Sequence, residues 1–334
     1  MKIITIGSDP EFFVLDNVGN PYPATPFAEG TKEFPKAVPS LGDGFYEQRD
    51  NLSFEGNIPV CHSKEEFIEN VTKLRNYFLS KVAKYDYSIS PNGVEYFPKR
   101  MLLSTEGSEF GCSSVVSSWA SKNGKRESRP TPVLSGVDYR VSGFHIHIGI
   151  EKAKTDPKLS WDILIGRLFD VFLTIPSQII KPEPERIESY GQYGMIRSKI
   201  YGVECRTLSS FFTQEEWLPW VWNQIKKMEE FINNCTEKDL MGIIDRRFVP
   251  ENIENNLFAV FNTFDNREIL NAFEETKRFY KINNKINEKK DNDSEPKISV
   301  PYPTPGDFEY RYAVCYDYER NVHFFRSGDD TIPL

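Results

Sequence analysis

The sequence predicts an α+β protein, in which strands and helices follow one another without regular βαβ alternation. Residues 142–149 read SGFHIHIG, and their alternation of apolar and imidazole side chains is typical of a strand. Capping-box patterns at 63–66 and 213–216 each precede apolar residues at helical spacing. The 334 residues include 25 Phe and 16 Tyr, enough to form a substantial folded core.

The N-terminal segment contains one or two strands. Residues 2–6 and 12–15 are rich in β-branched and aromatic side chains, which favour strands. Between them lies the sequence Asp9-Pro10-Glu11, and a proline does not fit the centre of a hydrogen-bonded ladder. We therefore expect both acids to lie near a break in the strand.

Four helices are predicted from apolar periodicity. Trp161, Leu164, Leu168, Phe172 and Ile175 share one helical face, and we expect that helix to end near Pro176. Residues 86–140 show only short apolar runs broken by Pro, Gly and Ser, so we expect an irregular segment there. The other three helices are expected at about 64–84, from the second capping box through Met228, and at about 265–283.

The sequence divides into one large domain and a C-terminal extension. We expect residues 1–283 to form the catalytic domain. Residues 284–306 begin with a run of Asn, Lys, Asp and Glu that is too polar to support a packed core, so we expect a mobile linker. Residues 307–334 are aromatic and alternating, which predicts one or two late strands that pack back on the same domain.

Composition excludes several classes of protein. The net charge of −8 and the lack of a Lys/Arg stripe argue against a nucleic-acid binder. The five cysteines are scattered and form no Cys-x-x-Cys pair, which indicates reduced thiols. Neither a signal peptide nor an apolar run long enough for a membrane span is evident, so we expect a cytoplasmic protein without a membrane partner. Walker-A, dinucleotide-binding and nucleophile-elbow motifs are also absent.

His145 and His147 are two of only four histidines in the chain. Residues i and i+2 of a strand share a face, so both imidazoles should point the same way. Gly143 and Gly149 bound the pair and permit close approach of a ligand or of backbone. A metal-ligating pair and a pair of hydrogen-bonded structural histidines both remain open on this pattern.

Four acids occur in strand-like, otherwise apolar or aromatic surroundings: Asp9, Glu11, Glu55 and Glu204. Burying a carboxylate is costly unless a cation or metal compensates it. Each acid alone could instead pair with an arginine. Taken together, several carboxylates with one or two imidazoles suit Mg²⁺ or Mn²⁺ better than a structural zinc ion.

Three basic residues could bind phosphate. Arg197 and Arg206 bracket Glu204, and their guanidinium groups match phosphate or carboxylate geometry. The alternative is a mutual ion-pair network with Glu204. Lys32, in a Gly-Thr-Lys loop, could also contact phosphate or simply be solvated.

The order of these motifs resembles the phage carboxylate–amine ligases of the phiEco32 type, in the glutamine synthetase and glutamate–cysteine ligase superfamily. The resemblance runs from residue 7 to about 212, and the C-terminal third adds little to it. The motifs are Gly7-Ser8-Asp9-Pro10-Glu11-Phe12-Phe13, Gly30-Thr31-Lys32, Asp50-Asn51 with Phe54-Glu55, His145-Ile146-His147-Ile148-Gly149, and Tyr201-Gly202-Val203-Glu204-Cys205-Arg206-Thr207-Leu208-Ser209.

This resemblance implies a glutamine synthetase-like fold, a curved antiparallel sheet with helices on its outer face. It implies ATP and Mg²⁺ or Mn²⁺ as cofactors, and small-molecule or peptide carboxylates and amines as substrates. A substrate carboxylate would be phosphorylated, and an amine would then attack the acyl phosphate. The implied metal ligands are Asp9, Glu11, Glu55, His145 and Glu204, with His147 close by and with Arg197 and Arg206 contacting phosphate or the acyl phosphate. We therefore expect Arg197, Arg206 and His147 to be catalytic, and Lys32, Arg197 and Arg206 to bind the cofactor.

The sequence departs from the ligase pattern at two positions. Ser113 stands where an acid is expected, and Phe144 stands where a second glycine is usual, which bears on substrate recognition and on the room beside His145. Two other hypotheses therefore stay open. One is a metal-dependent hydrolase that activates water at the same cluster. The other is a nucleotide-binding protein that keeps the scaffold without activity.

Overall fold

A computed structural model describes residues 3–103, 115–119, 128–129, 137–151, 160–245, 313–317, 322–327 and 330–333. The protein is a mixed α/β structure built on a large antiparallel sheet. The strands are β1 (Ile3–Phe12), β2 (Val14–Leu15), β3 (Pro21–Tyr22), β4 (Lys36–Ala37), β5 (Tyr46–Asp50), β6 (Ser53–Asn57), β7 (Ser88–Ile89), β8 (Val94–Tyr96), β9 (Val115–Ser117), β10 (Ser128–Arg129), β11 (Tyr139–Val141), β12 (Phe144–Ile150), β13 (Met195–Lys199), β14 (Gly202–Cys205), β15 (Ala313–Asp317), β16 (Val322–Ser327) and β17 (Asp330–Pro333).

The helical elements follow the apolar periodicity of the sequence. They are α1 (Lys64–Ala83), α2 (Lys99–Leu102), α3 (Trp161–Phe169), a π-helical turn (Asp170–Thr174), α4 (Ile175–Ile180), α5 (Pro184–Glu188), a 3₁₀ turn (Ser210–Thr213), α6 (Leu218–Asn234) and α7 (Glu237–Asp245). The prediction for α1 is confirmed, and Ser63 and Glu66 form its capping box. The helix predicted at 265–283 lies outside the described residues.

Two predicted helix boundaries are wrong. The helix that begins at Trp161 does not end near Pro176. The π-helical turn before it shifts the hydrogen bonding by one residue, so Pro176 lies in the first turn of α4, where its missing N–H is tolerated. The second capping box does not cap α6 either. The Thr213 hydroxyl donates to the carbonyl of Ser210 instead, and α6 begins at Leu218.

Among the described residues, nine strands form the main sheet, in the order β10-β9-β13-β14-β12-β1-β6-β5-β4, and every neighbouring pair is antiparallel. The N-terminal segment forms two strands, and the break between them falls at Phe13, two residues after Glu11, while β1 runs through Pro10. Its pairing with β12 ends at Pro10 opposite Phe144, and its pairing with β6 is at Glu11 and Phe12. Pro10 thus lies where β1 changes from one partner strand to the other. Its missing backbone N–H therefore interrupts neither ladder of hydrogen bonds.

The core lies between one face of this sheet and the helices α1, α3 and α6. Phe12 and Phe54 both pack on Phe78 of α1, and Phe144 stacks on Phe67 with ring centroids 6.1 Å apart. Because side chains alternate along a strand, each residue beside these phenylalanines faces away from the core. Glu11, Glu55 and His145 are those residues, so the packing of three aromatic rings orients all three polar groups to one face.

The chain separates into two compact units, residues 1–283 and 284–334. The described part of the second unit is an antiparallel sheet of three strands in the order β15-β16-β17, where one or two strands were predicted. The predicted linker at 284–306 lies outside the described residues, and the packing of 307–334 on the first unit stays a prediction.

Candidate metal centre

Strand register brings the predicted ligands together on the face opposite the helices. On the two sides of β1, Asp9 pairs with His145 of β12 and Glu11 pairs with Glu55 of β6. On the far side of β12, His147 pairs with Glu204 of β14. The residues separate into two groups, each with ligand atoms within 4.8 Å of one another. We call Glu11, Glu55 and His145 the buried group, and Asp9, His147 and Glu204 the cation-paired group.

The buried group is almost closed to solvent, with 5 to 7% of each residue exposed. The Nε2 atom of His145 lies 3.6 Å from Oε1 of Glu11, and the backbone N–H of Gly143 donates to Oε2 of Glu11 at 2.6 Å. Gly143 is required by this packing, because a Cβ there would lie 2.5 Å from His145 Nε2. Gly149, the other glycine of the motif, instead accommodates the hydroxyl of Thr5.

Burial shifts the titration of all three residues. Desolvation, reinforced by the nearby carboxylate of Asp50, raises the pKa of Glu11 to about 7. The same two causes raise the pKa of Glu55 well above its ordinary value. Desolvation and the charges of Arg206 and Arg186 hold the pKa of His145 well below its ordinary value. Near pH 7 the imidazole is therefore neutral and able to coordinate a metal ion.

The buried group fits a divalent cation. Within the described residues, neither Oε2 of Glu55 nor Nδ1 of His145 has a hydrogen-bond partner, and Oδ1 of Asp50 is likewise unpartnered. Native proteins rarely leave buried polar atoms unpaired. Two carboxylates, one imidazole and no thiolate form a donor set suited to Mg²⁺ or Mn²⁺.

Lys32 lies at the edge of the buried group. Its Nζ is 2.8 Å from Oδ2 of Asp50 and 3.8 Å from Oε2 of Glu55, and its side chain is 36% exposed. Asp50 belongs to one of the ligase-like motifs, but it is not among the site residues that the sequence predicts. Its place on the strand beside Glu55 was the available signal, since the five-residue strands β5 and β6 form a tight hairpin.

The cation-paired group is organised around Glu204, which is fully buried. Its carboxylate contacts Nη1 of Arg197 at 3.2 Å, Nζ of Lys199 at 2.8 Å, and Nη1 of Arg206. Burial alone would raise the pKa of this carboxyl, but the Arg206 and Arg197 charges outweigh burial and lower the pKa to about 2. Of the two interpretations left open by the sequence, the ion-pair network around Glu204 is therefore present.

Asp9 and His147 complete this group. Nε2 of His147 lies 2.8 Å from Oδ2 of Asp9, and Nδ2 of Asn57 donates to Oδ1 of Asp9. The hydroxyl of Tyr201 lies 2.8 Å from Nδ1 of His147. Sequence reasoning missed Lys199, Tyr201 and Asn57 as site residues. Lys199 is two positions from Arg197 on the same strand, which places both on one face and was the available signal.

Arg186 stabilises the backbone next to the buried group. Sequence reasoning did not predict it as a site residue. Its buried guanidinium donates to the carbonyls of Ser142, Arg206 and Leu208. These contacts join the carbonyl of Ser142, which precedes Gly143, to the neighbouring segment 206–208, and the N–H of Gly143 in turn holds Glu11. An arginine that donates to backbone carbonyls leaves no pattern of paired charges in the sequence.

Phe144 does not narrow the space beside His145, contrary to the expectation raised by its departure from the ligase pattern. Its side chain is completely buried in the core against Phe67, on the opposite face of the strand. Ser113, the other departure, lies outside the described residues.

Comparison with protein-family models and with curated protein sequences gives no significant match to this chain. Across the part of the chain that the structure describes, no helix combines the length and apolarity that crossing a membrane requires.

Proposed function

We propose that this chain is an ATP- and Mg²⁺-dependent carboxylate–amine ligase with a glutamine synthetase-like fold. The observation that carries the proposal is the pair of ligand groups on one face of an antiparallel sheet, within a chain whose motif order resembles such ligases. Glu11, Glu55 and His145 would hold one divalent ion, with Asp9 available to a second, because the carboxylate of Glu204 is already paired with three cations.

The distribution of charge supports nucleotide binding beside these ions. Three cations surround the single carboxylate of Glu204, and two of them, Arg197 and Lys199, are about 30% exposed, with side-chain values of 31% and 27%. Guanidinium and ammonium groups in that position can neutralise phosphate oxygens. Lys32 can reach the same space from the side of the buried group.

The proposed reaction is the one that the resemblance to these ligases implies. A substrate carboxylate oxygen attacks the terminal phosphorus of ATP, ADP leaves, and the amine nitrogen then attacks the acyl carbon, displaces phosphate and loses its protons to solvent. The divalent ions would neutralise phosphate charge during the transfer. Arg197, Arg206 and Lys199 would bind and orient the phosphate.

The test is calorimetric titration of ATP into the purified protein, first with Mg²⁺ and then with a chelator, for the wild type and for Glu55→Gln. We expect ATP binding to require Mg²⁺ and to weaken in Glu55→Gln by no less than the roughly 10- to 100-fold that is typical when a residue that only orients a metal ligand is lost. Glu47→Gln is the matched control. Glu47 is also a buried glutamate on a neighbouring strand, but it pairs with Lys81 at 2.6 Å, away from the site.

Product analysis separates this proposal from the alternatives. A ligase forms ADP continuously only when both a carboxylate and an amine are present, and hydroxylamine serves as a general amine probe that traps an acyl phosphate as a hydroxamate. Metal-dependent turnover without ATP consumption would favour the hydrolase. An affinity for ATP that changes neither with the chelator nor in Glu55→Gln would contradict the ligase assignment.

A further inference from the structure

Asn57 is the last residue of β6 and lies beside both ligand groups. It follows Glu55 by two residues, so its side chain lies on the same face of the sheet as the buried group. Its amide nitrogen Nδ2 reaches the neighbouring strand β1 and donates a hydrogen bond to Oδ1 of Asp9. One half-buried asparagine thus joins the strand that carries Glu55 to a carboxylate of the cation-paired group.

This hydrogen bond is the one that orients the Asp9 carboxylate. Among the residues that the structure describes, no other donor forms a hydrogen bond with either of its oxygens. Nε2 of His147 lies 2.8 Å from Oδ2 of Asp9, but this nitrogen has no hydrogen-bond partner there. The terminal torsion of an aspartate is broad, so an unbonded carboxylate turns easily about it. Asn57 therefore supplies the directional contact that fixes where the two oxygens point.

The same contact gives the two oxygens of Asp9 different roles. Oδ1 faces β6 and accepts from Asn57, whereas Oδ2 faces β12, within the group formed with His147 and Glu204. In the described part of the chain no lysine or arginine pairs with Asp9, in contrast to Glu204 and its three cations. A neutral amide orients a carboxylate without cancelling its charge, so the charge of Asp9 stays available to a metal ion.

We infer that Asn57 is a positioning residue for the second divalent ion: its amide holds Asp9 so that Oδ2 faces the cation-paired group as a ligand. This inference rests on the proposed function, because it assumes that Asp9 binds a divalent ion. Loss of a residue that orients a metal ligand typically lowers metal affinity by about 10- to 100-fold. The loss should be confined to the ion at Asp9 and spare the ion of the buried group, although Glu55 is only two residues away on the same strand.

The experiment is titration of the full chain with Mn²⁺, followed by calorimetry and by electron paramagnetic resonance of free Mn²⁺. A Glu11→Gln background disables the buried group and reports on the ion at Asp9. There we expect Asn57→Leu, which keeps a branched side chain of similar size but removes the donor, to weaken Mn²⁺ binding by about 10- to 100-fold. Asn92→Leu is the matched control, since Asn92 is another half-buried asparagine, and its amide donates to Oε1 of Glu95 at 3.3 Å, away from the site.

A general disturbance of β6 is tested in an Asp9→Asn background, which reports on the ion of the buried group. There Asn57→Leu should change Mn²⁺ affinity by less than about twofold, as expected for independent sites, and an equal loss in both backgrounds would overturn the inference. In the Glu11→Gln background, an affinity unchanged by Asn57→Leu, or no Mn²⁺ binding before that change, would also overturn it. In either case the ligase proposal would stand. A wild-type chain that binds no Mn²⁺ would overturn both.

Discussion

The two ligand groups lie on the same face of the sheet, yet their charges are balanced in opposite ways. In the buried group, two carboxylates and a neutral imidazole have Lys32 as their nearest ion-pair partner, 3.8 Å from Glu55. In the cation-paired group, the one carboxylate of Glu204 contacts three cations. Glutamates of the same chemistry accordingly have a pKa of about 7 at Glu11 and about 2 at Glu204.

This difference shows that residue type alone does not define what each group binds. In the buried group, Lys32 lies near three carboxylates, those of Glu11, Glu55 and Asp50, and we propose that a divalent cation binds there. In the cation-paired group, Glu204 contacts three cations, and we propose that phosphate binds beside them, together with any ion held by Asp9. A magnesium–nucleotide complex carries both kinds of charge, which is why the adjacency of the two groups supports the proposed function.

The largest effect is expected from removing the charge of Glu204. Glu204→Gln removes the buried negative charge that Arg197, Lys199 and Arg206 all contact. Breaking a buried ion pair on one side costs about 3–5 kcal/mol. We expect the free energy of unfolding, measured with urea in the presence of a chelator, to fall by about that amount.

Glu69→Gln is the control for this prediction, because Glu69 forms an exposed helical pair with Lys73 at 2.6 Å. Such exposed pairs contribute about 0.3–0.5 kcal/mol. If the two variants lost similar stability, Glu204 would not be the centre of a buried ion-pair network.

A smaller change in the free energy of unfolding is expected at Glu11. Here, removing the carboxyl should stabilise the protein at high pH, whereas removing the carboxyl of Glu204 destabilises it. Its pKa is raised from 4.5 to about 7 by folding, so the folded protein binds this proton more tightly than the unfolded chain does. Stability from this group is complete below pH 4.5 and is lost as the pH rises through 7. Without metal, the wild type should therefore lose about 3 kcal/mol between pH 4.5 and pH 8 through Glu11 alone.

Glu11→Gln removes this titration and should flatten the pH dependence of urea unfolding by about the same amount. The variant should also be more stable than the wild type at pH 8 without metal. Added Mn²⁺ should reverse that order, since only the wild type keeps both carboxylates for the ion. Parallel pH profiles for the two proteins would show that Glu11 is not a protonated, uncompensated carboxyl in the folded state.

The sequence was sufficient to place the predicted ligands on one sheet. Alternation of His145 and His147 with apolar neighbours predicted a strand with both imidazoles on one face, and β12 has that pattern. The motif glycine at 143 was likewise identified as a point of close approach, although the ring that approaches it is that of His145 itself.

The division into two groups could not be predicted. It depends on which strands pair and in which register, and residues as far apart as Asp9 and His145 meet only through long-range pairing. The helix through Pro176 was missed for a different reason, because a π-helical turn has no distinct periodicity in sequence. Tyr201 was overlooked because a turn residue carries no strand or helix pattern.

The smallest expected change is in the Mn²⁺ affinity of a Lys32 variant. It measures how far the ammonium of Lys32 balances the negative charge of the carboxylates in the buried group. Its ammonium lies 2.8 Å from Asp50 and competes with a metal ion for the same carboxylates, but it is 36% exposed, so solvent screens it. We expect Lys32→Met to tighten Mn²⁺ binding about fivefold, corresponding to about 1 kcal/mol. The same variant should weaken ATP binding in the presence of Mg²⁺, because Lys32 would no longer contact phosphate. Lys36→Met, which removes a more exposed lysine paired with Glu29, should change neither affinity. Weaker Mn²⁺ binding in Lys32→Met would mean that Lys32 orders the carboxylates for the ion instead of competing with it, and that the two groups differ less in charge balance than their contacts indicate.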